Sequence, residues 1–303
     1  MQSPDWPFRG TDALAAGVVT RHELRTRYEM VHRNVYVPRG QTLTPVTRAV
    51  AAWLWSGGTA TVAGLSAAAL HRTAWIDDWL PAELNRPSRD KAPGIVLHSD
   101  ALSDDETCVR DGIRLTTPAR TAFDLGRRKG LTTAVIRLDS LMRATQIKAA
   151  DVELISDRHR GVRGSVQLRR ALRLADGGAE SPYETRTRLV LLGGGLPRPH
   201  TQIEVLNDWG AVLARIDMGW ERWKVGVEFD GAQHWTDPAR RNRDIDRLAE
   251  LEARGWTIIR VSADILRHRP HVVIERTRRA LLAAGCRPSP RTNVDLLRRH
   301  AAI

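Results

Sequence analysis

Two cysteines, Cys108 and Cys286, are too few and too far apart for a disulfide framework or a CxxC metal knuckle, and they suit a reducing, cytoplasmic setting. The first residues, MQSPDWPFRG, lack the basic-then-apolar order of an export signal. Long uncharged runs are scarce. One, Ala49 to Leu70, has 22 residues, enough by count to span a bilayer. Ser56, Gly57, Gly58, Thr59 and Thr61 interrupt it, so two core helices joined at the Gly-Gly turn are expected, and no membrane contact. HExxH, GxSxG and GK[ST] are also missing, which removes zincin, α/β-hydrolase and P-loop chemistry from consideration.

What remains is a folded, strongly basic chain. Hydrophobic residues make up 42% and charged ones 27% of 303, enough for two or three domains with their own cores. The net charge of +12 favours a polyanionic partner, because cationic side chains that neutralise phosphates release counterions.

Residues 1–44 read as a small α+β unit of winged-helix type. A helix near Asp12–Ala16 stops at Gly17, Thr20 and Glu23 form a capping box for a second helix, and HRNVYVP alternates as a wing strand. Arg21, Arg25 and Arg27, on and just after the second helix, are the nucleic-acid contacts this arrangement implies. Residues 45–130 continue as an α+β region, with AELNRPSR and GIVLHSD as strands and a helix from Pro118 through TPARTAFDLGRR. Asp77-Asp78 and Asp104-Asp105-Glu106 sit in turn contexts and are expected in solvated loops. His22, His32, His98, His159 and His300 stand alone and are expected at the surface. Residues 131–176 show helical periodicity, with Ile136, Leu138, Leu141, Ile147, Leu154, Ile155, Leu168, Leu172 and Leu174 as core candidates, and form a connector to a last domain at 177–287. A basic tail, 288–303, closes the chain.

The chemistry concentrates in Arg215–Trp235, RIDMGWERWKVGVEFDGAQHW. Two runs of period-two alternation flank GWERW and predict a β-hairpin. If its register centres between Arg222 and Trp223, Asp217 lies opposite Glu228, and Asp217, Glu228 and Asp230 share one face. Like charges this close raise one another's pKa unless a cation sits among them. An oxygen-only ligand set suits Mg²⁺ or Mn²⁺, and hence a site for phosphodiester cleavage. Upstream, Ser181-Pro182-Tyr183-Glu184 reads equally as a helix N-cap with Glu184 at N3 and as a source of a further acid for the site. Downstream, His234 is a candidate base. On the helix that starts at Asp237-Pro238, Arg240, Arg243, Arg247 and Arg254 fall on one side, a basic stripe suited to a phosphate backbone, and Arg260 on the next strand is a phosphate or carboxylate partner.

These residues resemble a family. Asp217, ten intervening residues, then Glu228-Phe229-Asp230 on a hairpin behind a helix carrying Glu184, is similar to the PD-(D/E)XK nucleases. The D…ExDGxxH order of Asp217, Glu228, Asp230, Gly231 and His234 resembles the very-short-patch-repair-like branch and domain of unknown function 559. Asp230 stands where the wider superfamily has lysine. The resemblance implies a restriction-endonuclease-like mixed sheet flanked by helices. It also implies a metal-dependent endonuclease on double-stranded DNA, in defence or repair, with Asp217, Glu228 and Glu184 as metal ligands and Asp230 and His234 assisting. Residues 1–130 resemble abortive-infection (AbiEi) antitoxins, which implies targeting by a DNA-binding front region and a partner protein from a toxin–antitoxin or defence system. The alternative kept open is a non-catalytic, antitoxin-like DNA-binding regulator that retains the nuclease fold as a platform.

Overall fold

Strands of two to nine residues form three small sheets among the described residues. The computed structural model describes residues 6–87, 92–128, 130–231 and 238–287, with the backbone alone at 238–243. It divides into two compact units, 1–130 with 140–172, and 131–139 with 173–303. The segment expected as a connector is therefore shared between the units.

The first unit opens with β1 (Phe8–Arg9), α1 (Gly10–Ala15), α2 (Arg21–Thr26), β2 (Tyr28–His32) and β3 (Val35–Pro38), the strands forming an antiparallel sheet in the order β1-β3-β2. Thr20 and Glu23 make the expected capping box, and Asn34, with φ of 63°, turns the β2–β3 hairpin. The stretch HRNVYVP, expected as one strand, is therefore split into the end of β2, the turn and β3. Then come α3 (Pro45–Trp55), β4 (Thr61–Val62), α4 (Gly64–Leu70), β5 (Ala82–Asn85), β6 (Ile95–His98), a 3₁₀ turn at Asp104–Glu106, β7 (Thr107–Arg110), β8 (Ile113–Thr116) and α5 (Pro118–Arg128). The uncharged run is two alanine-rich helices with a buried strand between them, packed on a sheet of order β6-β5-β4-β8-β7. No helix among the described residues is long and apolar enough to cross a membrane.

Helices α6 (Leu131–Thr145), α7 (Ala149–Arg158) and α8 (Ser165–Leu174) follow. Leu138, Leu141, Ile155, Leu168, Leu172 and Leu174 are buried as expected, but Leu154 is 64% exposed. Its neighbours Val152 and Ile155 take the inward face of α7 instead.

Two expectations about polar groups fail together. Glu106 is fully buried, not in a solvated loop, and His159 is not a lone surface residue: its Nε2 lies 2.6 Å from Glu106. Arg120, itself buried, reaches Glu106 and donates through Nε to Asp124 at 3.1 Å. Asp124 and Asp100 extend the chain of charges to Arg127 and Arg128. His98 is likewise paired, 2.7 Å from Glu83. Lone charges in a sequence find partners 15 to 53 residues away, a separation that local pattern does not record.

The second unit contains α9 (Pro182–Gly193), β9 (His200–Leu206), β10 (Val212–Trp220), β11 (Val225–Asp230), α10 (Pro238–Ala253), β12 (Thr257–Ser262), α11 (Ala263–His268) and α12 (Pro270–Ala283). The sheet runs β12-β11-β10-β9, antiparallel except for the parallel β11–β12 pair made by the α10 crossover. One face packs Met218, Trp220, Val225, Val227, Ile259 and Val261 against α9, α11 and α12. The other packs Ile203, Val205, Ala214 and Ile216 against Leu251 of α10 and Trp256. A mixed sheet with helices on both faces is the α/β architecture expected for this region. Inside α9, buried Arg188 donates to Asp139 at 2.5 Å, and burial lifts Asp139 to about 6 against the pull of that arginine.

Gly226 faces the α10 side. A Cβ there would lie 2.8 Å from both Ile216 Cγ2 and Ile258 Cδ1. Gly226→Ala is expected to cost about 1–3 kcal/mol in urea unfolding, because two β-branched side chains must leave their rotamers.

Candidate active site

The hairpin predicted around GWERW is present, with Glu221–Trp223 as its turn and Lys224 in the left-handed region at φ 48°. Its pairs, Met218↔Val227, Gly219↔Gly226 and Trp220↔Val225, each sum to 445, as 217 and 228 do. The register is the expected one. The alternation is not: Ile216 belongs to the α10-facing cluster and Met218 to the opposite one. Beside this switch, Gln202 on β9 adopts a φ of 53°. The ladder to β11 ends at Met218, and Asp217 turns its carboxylate into the gap, accepting the Phe229 backbone N–H at 2.7 Å. A side chain thus takes the place of a ladder carbonyl.

Glu184 arrives from α9, where Ser181 caps the helix by accepting the Glu184 N–H at 3.1 Å. The reciprocal half of a capping box is absent at Ser181. Glu184 accepts instead from the Glu180 backbone at 2.7 Å and from Gln202 Nε2 at 3.1 Å. It is buried, and it acts on Asp217. Burial first, then the charges of Glu184 and Glu228, push the Asp217 carboxyl up to about 7, with only the Phe229 amide and Arg247 opposing.

Glu228 and Asp230 leave β11 on the same face, and each meets an arginine. Arg247 of α10 grips Glu228 with both arms, Nη1 to Oε1 at 2.7 Å and Nη2 to Oε2 at 2.9 Å. Arg260 of β12 holds Asp230 at 2.7 Å. Asp244, one helical turn before Arg247, joins the two: it accepts from Arg247 at 2.8 Å and lies 3.3 Å from Arg260. The result is an alternating string, Glu228–Arg247–Asp244–Arg260–Asp230. The two hydrogen bonds that Arg247 donates to Glu228 hold the Arg247 proton more firmly than usual.

The expected basic stripe on α10 is corrected at two positions. Arg247 is no part of an open basic stripe, since it faces the carboxylates and is 26% exposed, and Arg254 pairs with Asp208 at 3.3 Å. The side chains of Arg240 and Arg243, and His234 with the basic tail, lie outside the described residues. Arg260 fulfils its carboxylate role. Asp244 was not singled out from the sequence, although the D-x-x-R spacing of Asp244 and Arg247 on one helix face is the signal that identifies it. In the first unit Arg21, Arg25 and Arg27 are exposed, Arg27 turned back on Glu23 at 3.3 Å.

A hard divalent cation fits these residues in charge and in donor type. Asp217 is a half-buried carboxyl lifted first by desolvation and then by two further acids, an all-oxygen setting that a hard cation would neutralise. The described residues do not form a ready cage of three acidic, histidine or cysteine ligands, because Glu228 is turned to Arg247. Glu228 can serve as a ligand only when that pair opens.

Comparison with known proteins adds a family signal over the same elements. Residues 200–281 match the family model REase_MTES_1575, a restriction-endonuclease-like domain. The match includes Asp217, Glu228, Asp230, Arg247 and Arg260 and leaves out Glu184. The chain is 33% identical over 166 residues to two uncharacterized proteins of Mycobacterium tuberculosis, Rv2248 of strain H37Rv and MT2308 of strain CDC 1551. These matches cover 55% of this chain and 61% of each relative. No solved structure matches.

Proposed function

We propose that the second unit is a metal-dependent endonuclease that hydrolyses phosphodiester bonds, with double-stranded DNA as substrate. The observation that carries this reading is the half-buried Asp217 carboxyl, bonded to a backbone amide and acted on by two other acids. Asp217, Glu228 and the Phe229 carbonyl would hold Mg²⁺ or Mn²⁺, with Glu184 as an outer ligand. The ion, when bound, supplies Lewis-acid polarisation of the phosphate and a more acidic water. The chain's own groups do the rest. Asp217 is fixed by Phe229, and Glu184 by the Glu180 amide and Gln202, so neither acid reorients during the reaction. Asp230 orients Arg260, and His234 is the candidate base.

The likeness of the D…ExDGxxH residues to the very-short-patch-repair-like branch supports a role in repair or defence. The exposed Arg21, Arg25 and Arg27 support DNA contact by the first unit, antitoxin-like in character, with a partner protein from such a system. One observation favours a second reading, a non-catalytic DNA-binding regulator: both Glu228 oxygens are occupied by Arg247.

Nicking of supercoiled DNA separates the two. With Mg²⁺ or Mn²⁺ the wild-type chain is expected to nick, EDTA to stop it, and Glu228→Gln to slow it by about 10²-fold or more. DNA binding that survives EDTA, with no nicking by either protein, would establish the regulator instead.

A further inference from the structure

The tightest contact at the site is the one that stands in the way of its chemistry. We propose that Arg247 is an internal stand-in for the metal: it occupies Glu228 while no ion is bound, is displaced when one binds, and then serves the DNA phosphate. The inference rests on the nuclease reading above.

The geometry supports each step. A guanidinium bonded to both Glu228 oxygens at 2.7 and 2.9 Å takes one lone pair of each and sets a full positive charge against the carboxylate, so an arriving divalent ion competes with it for Glu228. Arg247 does not depend on Glu228 alone. Asp244 holds its Nε at 3.3 Å and its Nη2 at 2.8 Å, so the head group keeps one carboxylate partner if it turns away from the other. Asp244 is itself steadied by Arg260, 3.3 Å away. The Arg247 side chain is 26% exposed and the Glu228 side chain 11%, so the guanidinium is the member of the pair with a route to solvent. Its fork of N–H groups matches a phosphodiester oxyanion as well as it matches a carboxylate. Displacement would therefore place a phosphate-binding cation beside the ion at the moment the ion arrives. Metal and DNA would each raise the affinity for the other, as linkage requires.

Calorimetric titration of the full chain with Mn²⁺, without DNA, tests the exchange. Arg247→Met, which cannot pair with Glu228, is expected to bind Mn²⁺ at least about tenfold more tightly than wild type, equivalent to ~1.4 kcal/mol. Arg247→Lys, which keeps the charge but loses the fork, is expected in between and serves if the methionine variant fails to fold. Equal affinity in all three would overturn the exchange while leaving the nuclease reading in place, and no Mn²⁺ binding by any of them would overturn both. Fluorescence anisotropy with a labelled DNA duplex tests the handover, using Ca²⁺ as a hard ion in place of Mn²⁺. Ca²⁺ is expected to tighten DNA binding by wild type several-fold and by Arg247→Met hardly at all. An equal gain in both proteins would overturn the phosphate role.

Discussion

Asp217→Asn is expected to be the more stable protein at pH 8 and to be about 10³-fold or more slower in Mn²⁺-dependent nicking. Both effects have one origin. The wild-type carboxyl sits at about 7 in the folded chain, against an ordinary 3.8. Below the lower value both folded and unfolded chains carry the proton, and Asp217 contributes no penalty. Between the two, the folded chain retains a proton that the unfolded chain has released, so stability falls as pH rises; above about 7 the loss is complete. Three pKa units correspond to ~4 kcal/mol, and roughly half of that is a fair expectation after solvent screening. Asparagine does not ionise, and its Oδ1 can still accept the Phe229 N–H. Thermal melting should therefore favour the variant by several degrees at pH 8 and show little difference near pH 4. Saturating Mn²⁺ should reverse the order, because an ion that binds only the folded wild type stabilises it by mass action. The catalytic loss follows from removing a metal ligand, a change of several kcal/mol in transition-state stabilisation. A variant that melts below wild type at pH 8 without metal would refute the crowding of acids inferred here.

The largest effect on stability alone is expected from Arg120→Ala in the first unit. Arg120 is 1% exposed, and its removal leaves Glu106 and Asp124 buried with fewer counter-charges. Breaking one partner from such a cluster costs ~3–5 kcal/mol, whereas removing all its charges together is far milder. In urea unfolding the single variant should lose about that amount, and Arg120→Met combined with Glu106→Gln and Asp124→Asn should recover much of it. Loss of the Arg120 stack on the Phe123 ring, 5.5 Å away, adds to the deficit. A shift within ~0.5 kcal/mol for Arg120→Ala would mean that water enters and solvates the acids.

Local physics accounts for what could be read in advance. The Thr20 and Ser181 caps, the Pro118 helix start, the GWERW turn and the β10–β11 register all depend on residues close in sequence, and all stand where expected. The paired ladder stops one step short of residues 217 and 228, where Asp217 accepts the Phe229 amide instead. What escaped were features decided by tertiary partners. Period-two alternation does not register a strand that changes faces at Asp217, a change accompanied by the left-handed backbone of Gln202 on the neighbouring β9. Helical periodicity placed Arg247 on a solvated stripe, but a buried carboxylate 19 residues earlier in the chain draws it inward. Glu106 looked solvated and His159 solitary because each is the other's partner across 53 residues. The pairing of Arg260 with a carboxylate was thus legible in advance, whereas the Arg247–Asp244 link beside it was not.

The bond between Asp217 and the Phe229 amide has a use beyond architecture. Because that N–H lies against a carboxylate oxygen, its proton resonance is an intrinsic gauge of the charge there. It should move as Asp217 titrates and move again when an ion drains electron density from the same oxygens, so one backbone signal registers the state of the whole centre without a probe being added.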